Sequence, residues 1–133
     1  MPEKKHSLFK VDQDTEAFRL AIIDDIRPWG KFRAFPHENA GSIKIITVNP
    51  GASLSLQYHH HRSEFWIALD EGLEVTVGDR TWRPEKNEEI FIPREAAHRL
   101  RGVGKEPARV FEIWIGRSKE SDIVRLEDDY GRD

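Results

Sequence analysis

The chain is expected to fold as an all-β protein, a sandwich or a barrel, and three observations lead there. From Lys31 onward, nine runs of four to eight residues rich in Val, Ile, Phe, Trp and Thr follow one another. Turn residues stand between them: Pro36, Asn49-Pro50-Gly51, Gly78-Asp79, Asn87, Gly102-Val103-Gly104 and Pro107. Several runs alternate apolar and polar side chains, as strands with one buried face do.

Taken in order, residues 1–26 read as a polar N-terminal extension ahead of a single domain over 27–133. The one structured hint in the extension is Glu16 to Ile23. Ala17, Phe18, Ala21 and Ile22 would share a helix face there, although FRLAII suits a strand equally. Arg27-Pro28-Trp29-Gly30 then punctuates the chain. Pro28 fixes the backbone, Gly30 frees it, and Trp29 offers a large apolar anchor expected to plug one end of the β structure. KFRAF, SIKIITV, ASLSLQYH, EFWIAL, LEVTV, TWRP, EEIFI, HRLRGV and ARVFEIWI are the expected strands. Val77-Gly78-Asp79-Arg80 carries the Gly-first pair of a tight hairpin.

A length of 133 residues suits one domain with a single core. A net charge of -3, with 34% charged residues, provides no basic face for nucleic acid. No apolar run is long enough to cross a bilayer, and MPEKKHSLFK lacks the apolar core of a signal peptide, so a cytoplasmic location is the default expectation. With no cysteine there is neither a disulfide nor a thiolate ligand or nucleophile.

Chemistry concentrates in GASLSLQYHHHRSEFW, Gly51 to Trp66. Ser53, Ser55, Gln57, His59 and His61 share one strand face, and Leu54, Leu56, Tyr58 and His60 the other. A face that would otherwise be core is thus lined with imidazole, amide and, four residues on from His60, the Glu64 carboxylate. Without thiolates such a set takes Zn, Mn, Fe, Co or Ni. A second segment, NEEIFIPREAAHRL, has an apolar run, Pro93 as a strand stopper, and a lone His98 opening the next strand.

These two segments resemble the two sequence motifs of the cupin superfamily. Gly51, five residues, Gln57, one residue, His59, four residues, Glu64 matches the first; Pro93, four residues, His98 matches the second. LSLQYHHHRSEFW is similar to the signature of type II phosphomannose isomerases, a domain also found C-terminally in bifunctional mannose-1-phosphate guanylyltransferases. RPWG, ITVNPG and DIVRLEDDYGR match in the same order. The resemblance implies a cupin jelly-roll β-barrel with a short N-terminal extension. It also implies that the acidic tail packs back on the barrel or on a neighbouring subunit, and that the protein is a homodimer paired through edge strands.

It further implies a divalent metal (Zn, Mn, Co or Ni) held by Gln57, His59, Glu64 and His98, with His61 competing with Gln57 for the fourth place. The metal would serve conversion of mannose 6-phosphate to fructose 6-phosphate through an enediol, in the supply of GDP-mannose. His61 is the first candidate for the base that moves the proton, and Glu112, on the inward parity of the last long strand, the second. Lys44, Arg62, Arg99 and Arg132 are candidates for the substrate phosphate. A non-catalytic cupin that binds a sugar phosphate and partners a separate guanylyltransferase is the alternative, with a metal-dependent oxygenase third. Departures from the pattern are Asp70-Glu71 with Gly72 one place late, Pro93-Arg94-Glu95 in place of Pro-Ala-Gly, Phe65 in place of a frequent His, and Trp114 in place of a polar residue. Trp114, if inward, would narrow the cavity.

Overall fold

A computed structural model of the chain describes residues 13–38, 40–116, 118–119 and 121–128. It begins with helix α1, Gln13–Ala21, which carries Asp14 and Glu16 in its first turn and Arg19 in its last, charges that complement the helix dipole. Of the two readings left open for this stretch, the helix is the one formed. Strands β1 (Ile23–Arg27) and β2 (Gly30–Ala34) then make a hairpin whose register runs to Arg27 opposite Gly30.

The rest is two antiparallel sheets. One has the order β3 (Ala40–Val48), β10 (Ala108–Ile115), β5 (Ser63–Ala68), β8 (Glu89–Ile92). The other has the order β11 (Val124–Glu127), β4 (Leu56–Tyr58), β9 (His98–Gly102), β6 (Leu73–Val77), β7 (Arg80–Trp82). The expected all-β architecture is therefore present, with one short helix added. The β6–β7 turn is the tight hairpin expected at Gly78, whose φ of 59° suits glycine.

Strand periodicity decides what lies between the sheets. Val48, Ala68, Leu100, Ala108 and Val110 point inward and join Leu73, Val75, Val77, Ile90 and Ile92 in the main core. Continuing the same parity along the same strands gives Lys44 on β3, Glu64 on β5, His98 on β9, and Glu112 and Trp114 on β10. Each of these strands is thus apolar at one end and functional at the other. The opposite parity of β5 and β10 is buried too: Phe65, Ile113 and Ile115 pack outside the sheet beneath Phe18 of α1. The Phe18 and Phe65 rings lie 5.1 Å apart, and Phe35 lies 5.1 Å from Phe65.

Two expectations need correcting. Trp29 plugs nothing; it sits 74% exposed in the β1–β2 turn, because Arg27-Pro28-Trp29-Gly30 closes a hairpin. In ASLSLQYH only Leu56–Tyr58 form a strand, while Gly51 to Leu54 follow β9 through two backbone bonds with Gly102, one with Leu100 and a bridge between Ser53 and Arg101. The described part of the tail packs back, β11 adding to β4 with Arg125 opposite Gln57; residues 129–133 lie outside the described residues.

Candidate metal centre

The histidine run lies where β4 stops. Beyond Tyr58 the backbone leaves the strand and turns around Asp122, whose carboxylate accepts the backbone N–H groups of His60 and His61, each at 2.9 Å, and the Ser118 hydroxyl at 2.7 Å. Burial alone would raise the Asp122 carboxyl, but these donors hold it down at about 2. The turn breaks the alternation on which His61 depended. His59 and Arg62 go inward and are buried, whereas His60 and His61 are exposed.

His59, Glu64 and His98 converge. One ligand atom from each lies within 4.8 Å of the others, and all three residues are buried. His59 Nε2 is 3.0 Å and His98 Nε2 3.9 Å from Glu64 Oε2. The tautomers follow from the outer partners. His59 Nδ1 is 2.6 Å from the Asp122 carbonyl and His98 Nδ1 2.9 Å from that of Ala96, so both Nδ1 atoms carry the proton and both Nε2 lone pairs face the centre. Trp66 Nε1 donates to Glu64 Oε1 at 2.8 Å, which leaves Oε2 for the histidines.

His98 Nε2 is buried with no hydrogen-bond partner. An orphaned imidazole lone pair beside a second one and a carboxylate is the donor set of a divalent cation, so these residues fit the metal that the fold family implies. Gln57 stands next to them, its Nε2 3.4 Å from His59 Nε2. Arg62 shares the space: its Nε is 3.2 Å from Glu64 Oε2, its Nη2 3.2 Å from His59 Nε2, and its guanidinium lies 3.4 Å over the Trp114 ring. A cation bound between the histidines would take over both of those polar contacts.

Burial by itself would raise the Glu64 carboxyl, but the neighbouring His98, then His59 and Glu112, together hold it well below the usual range. Burial lowers His98, keeping it neutral as a ligand must be. Glu112 goes the other way. Burial, and then the neighbouring Glu64 charge, push it up to about 8. Trp114 Nε1 donates to its Oε1 at 3.1 Å, and Lys44 Nζ lies 3.7 Å from the same oxygen. Two adjacent carboxyls pushed apart in this way pair a permanent anion with a group that holds a proton near neutrality.

A cavity of about 120 Å³ opens beside this pair, lined by Gln57, His98, Glu112, Trp114 and four cations. Of the residues singled out from the sequence, Gln57, His98, Glu112, Lys44, Arg62 and Arg99 all line it, and His59 and Glu64 stand in the centre next to it. His61 is not among the lining residues, and Arg132 lies outside the described residues. Trp114 is inward and narrows the space, whereas Phe65 faces α1 and leaves the centre untouched. Sequence reasoning missed three contributors. Asp122 and Arg125 are hidden in an acidic tail, and Trp66 looks like ordinary core.

The family model described as mannose-6-phosphate isomerase C-terminal matches residues 13–128. The chain is 45% identical over 107 residues to the xanthan biosynthesis protein XanB of Xanthomonas campestris pv. campestris, covering 80% of this chain and 23% of XanB. It is 44% identical over 129 residues to the alginate biosynthesis protein AlgA of Pseudomonas aeruginosa, covering 96% of this chain and 27% of AlgA. It thus spans about a quarter of the length of these relatives. Among solved structures, a dTDP sugar isomerase of Desulfovibrio desulfuricans superposes with a TM-score of 0.60 at 15% identity, over 84% of this chain and 89% of that one. A cupin-2 domain of Rhodospirillum rubrum superposes with a TM-score of 0.54 at 16% identity, over 67% and 63%. At such identities the likeness is one of fold, the cupin barrel.

Proposed function

Because this chain belongs to the mannose-6-phosphate isomerase C-terminal family, we propose that it interconverts mannose 6-phosphate and fructose 6-phosphate, with a divalent metal held by His59, Glu64, His98 and Gln57. The observation that carries the reading is the convergence of the His59 and His98 Nε2 atoms and the Glu64 carboxylate beside a second, proton-holding carboxyl, Glu112, which lines the adjoining cavity. A metal bound there supplies positive charge for developing negative charge on the sugar oxygens and favours the ionised form of Glu112.

The chain's own residues do the rest. Glu112 takes the proton from C2 and returns it to C1, while a hydroxyl proton passes from O2 to O1 through the enediol; the base role falls to Glu112 because His61 faces solvent. Trp114 Nε1 and Lys44 fix its carboxylate. The cationic lining draws in the phosphate. Such an isomerase would feed GDP-mannose and polysaccharide precursor supply. The homodimer reading is supported by β3, an edge strand that exposes Ile43 at 57% and Ile45 at 56%.

An enzyme-linked assay on chelator-treated protein, with Zn, Mn, Co or Ni added back, tests the reading. Turnover should require the metal and vanish in His59→Ala and His98→Ala. A second reading, a non-catalytic sugar-phosphate-binding cupin that works with a separate guanylyltransferase, is favoured by the narrowing at Trp114. Sugar-phosphate binding with no turnover under any of these metals would select it.

A further inference from the structure

Four cations line the cavity, and their partners differ. Arg62 contacts Glu64, Ser118 and the Lys119 carbonyl. Arg99 spends its donors on the Leu54 carbonyl at 3.0 Å and on the side chain and carbonyl of Glu127 at 3.2 and 3.3 Å, which ties β9 to the tail strand. Lys44 lies 3.7 Å from Glu112 and 4.8 Å over Trp114.

Arg125 has no such arrangement. It stands on β11 directly opposite Gln57, so the two side chains share the face that lines the cavity. Its Nε is buried and without a hydrogen-bond partner, and no carboxylate among the described residues forms an ion pair with it. A buried N–H of a charged group left without an acceptor is costly, and native structures leave few of them.

Resting on the isomerase-family reading of this cavity, we propose that Arg125 anchors the phosphate of the sugar phosphate, its planar fork meeting the phosphate oxygens. The tail strand then serves as the wall that supplies the anion site, and Arg99 holds that wall in place. The metal centre and the anion anchor flank Gln57, so one ligand would span both. A guanidinium with spare donors beside the cavity suits a phosphate dianion better than a neutral sugar.

The test is calorimetric titration of the full chain, metal-loaded, with mannose 6-phosphate, inorganic phosphate and mannose. The wild type should bind the two phosphates. Arg125→Gln should weaken mannose 6-phosphate by about 10- to 100-fold, the loss of one charged hydrogen-bonding group, while its metal affinity stays unchanged. Should Arg125→Gln lose the tail strand, Arg125→Lys decides, since it keeps the charge, loses the fork and should recover only part of the affinity. In turnover the loss should appear in KM, with kcat near wild type. Unaltered mannose 6-phosphate affinity in the variants, or a wild type that binds neither phosphate, overturns the proposal. A chain that binds phosphate through Arg125 yet turns nothing over leaves the anchor standing and removes only the isomerase reading.

Discussion

Replacing Glu112 by Gln should make the metal-free protein more stable at neutral pH and leave it unchanged in acid. The carboxyl has an ordinary value of 4.5 and is pushed up to about 8 in the fold by burial and by Glu64. Below 4.5 the folded and unfolded chains both hold the proton, and any contribution to stability is fully present. As pH rises the unfolded chain ionises while the folded one resists, so stability falls by about 1.4 kcal/mol per pH unit until the folded group also ionises. By pH 7 the loss is on the order of 3 kcal/mol. Glutamine keeps the acceptor for Trp114 Nε1 and a donor towards Glu64, but has no proton to lose. Urea unfolding followed by tryptophan fluorescence, on chelator-treated wild type and variant from pH 4.5 to 8.5, gives the difference directly. It should be near zero at the acid end and grow steadily upward, and added Zn or Mn should shrink it. A difference that does not change with pH would refute the account of the carboxylate pair.

Other perturbations probe the parts around the centre. Asp122→Ala removes the acceptor of two backbone N–H groups and of Ser118, and should cost about 1–2 kcal/mol after allowance for solvent access, with roughly tenfold weaker metal binding. The contribution of Asp122 is present above its ordinary 3.8 and should fade only as pH falls through about 2. Phe18→Ala empties the site under α1, where Phe18 is 7% exposed, and should lower stability by about 3 kcal/mol in chemical denaturation without abolishing metal binding. Glu95 adopts a φ of 67° where the family pattern has glycine, so Glu95→Gly should raise stability by about 1 kcal/mol, read as a higher Tm, despite losing its contact with His60.

How much of this was legible in the sequence depended on whether strand parity held. Along β5, β9 and β10 it held to the last residue, which is why Glu112 was legible from parity alone, while Glu64 and His98, also on inward positions, were legible from the spacing of their motifs. It failed at Tyr58, where β4 ends and the chain bends round an aspartate 62 residues away from His60. Nothing local in HHHR says that arginine, and not the third histidine, turns inward. The β1–β2 hairpin was obscured because IDDIR is mostly polar and exposed, with no buried face to imprint a pattern. In the tail, charge density concealed a strand whose partners are β4 and Arg99, so Arg125 gave no signal beyond the family match. Gly72 and Glu95 show the converse. The displaced glycine takes a φ of 95°, and Glu95, where the resemblance places glycine, takes a left-handed φ of 67°.

The claim on which the rest depends is that His59, Glu64 and His98 together hold one divalent ion. Calorimetric titration of chelator-treated protein with Zn, Mn and Co measures it without reference to any substrate. One ion per chain, bound at least about 100-fold more weakly by His98→Ala, is the expected result. No stoichiometric binding, or equal affinity in the wild type and in His98→Ala, would contradict it.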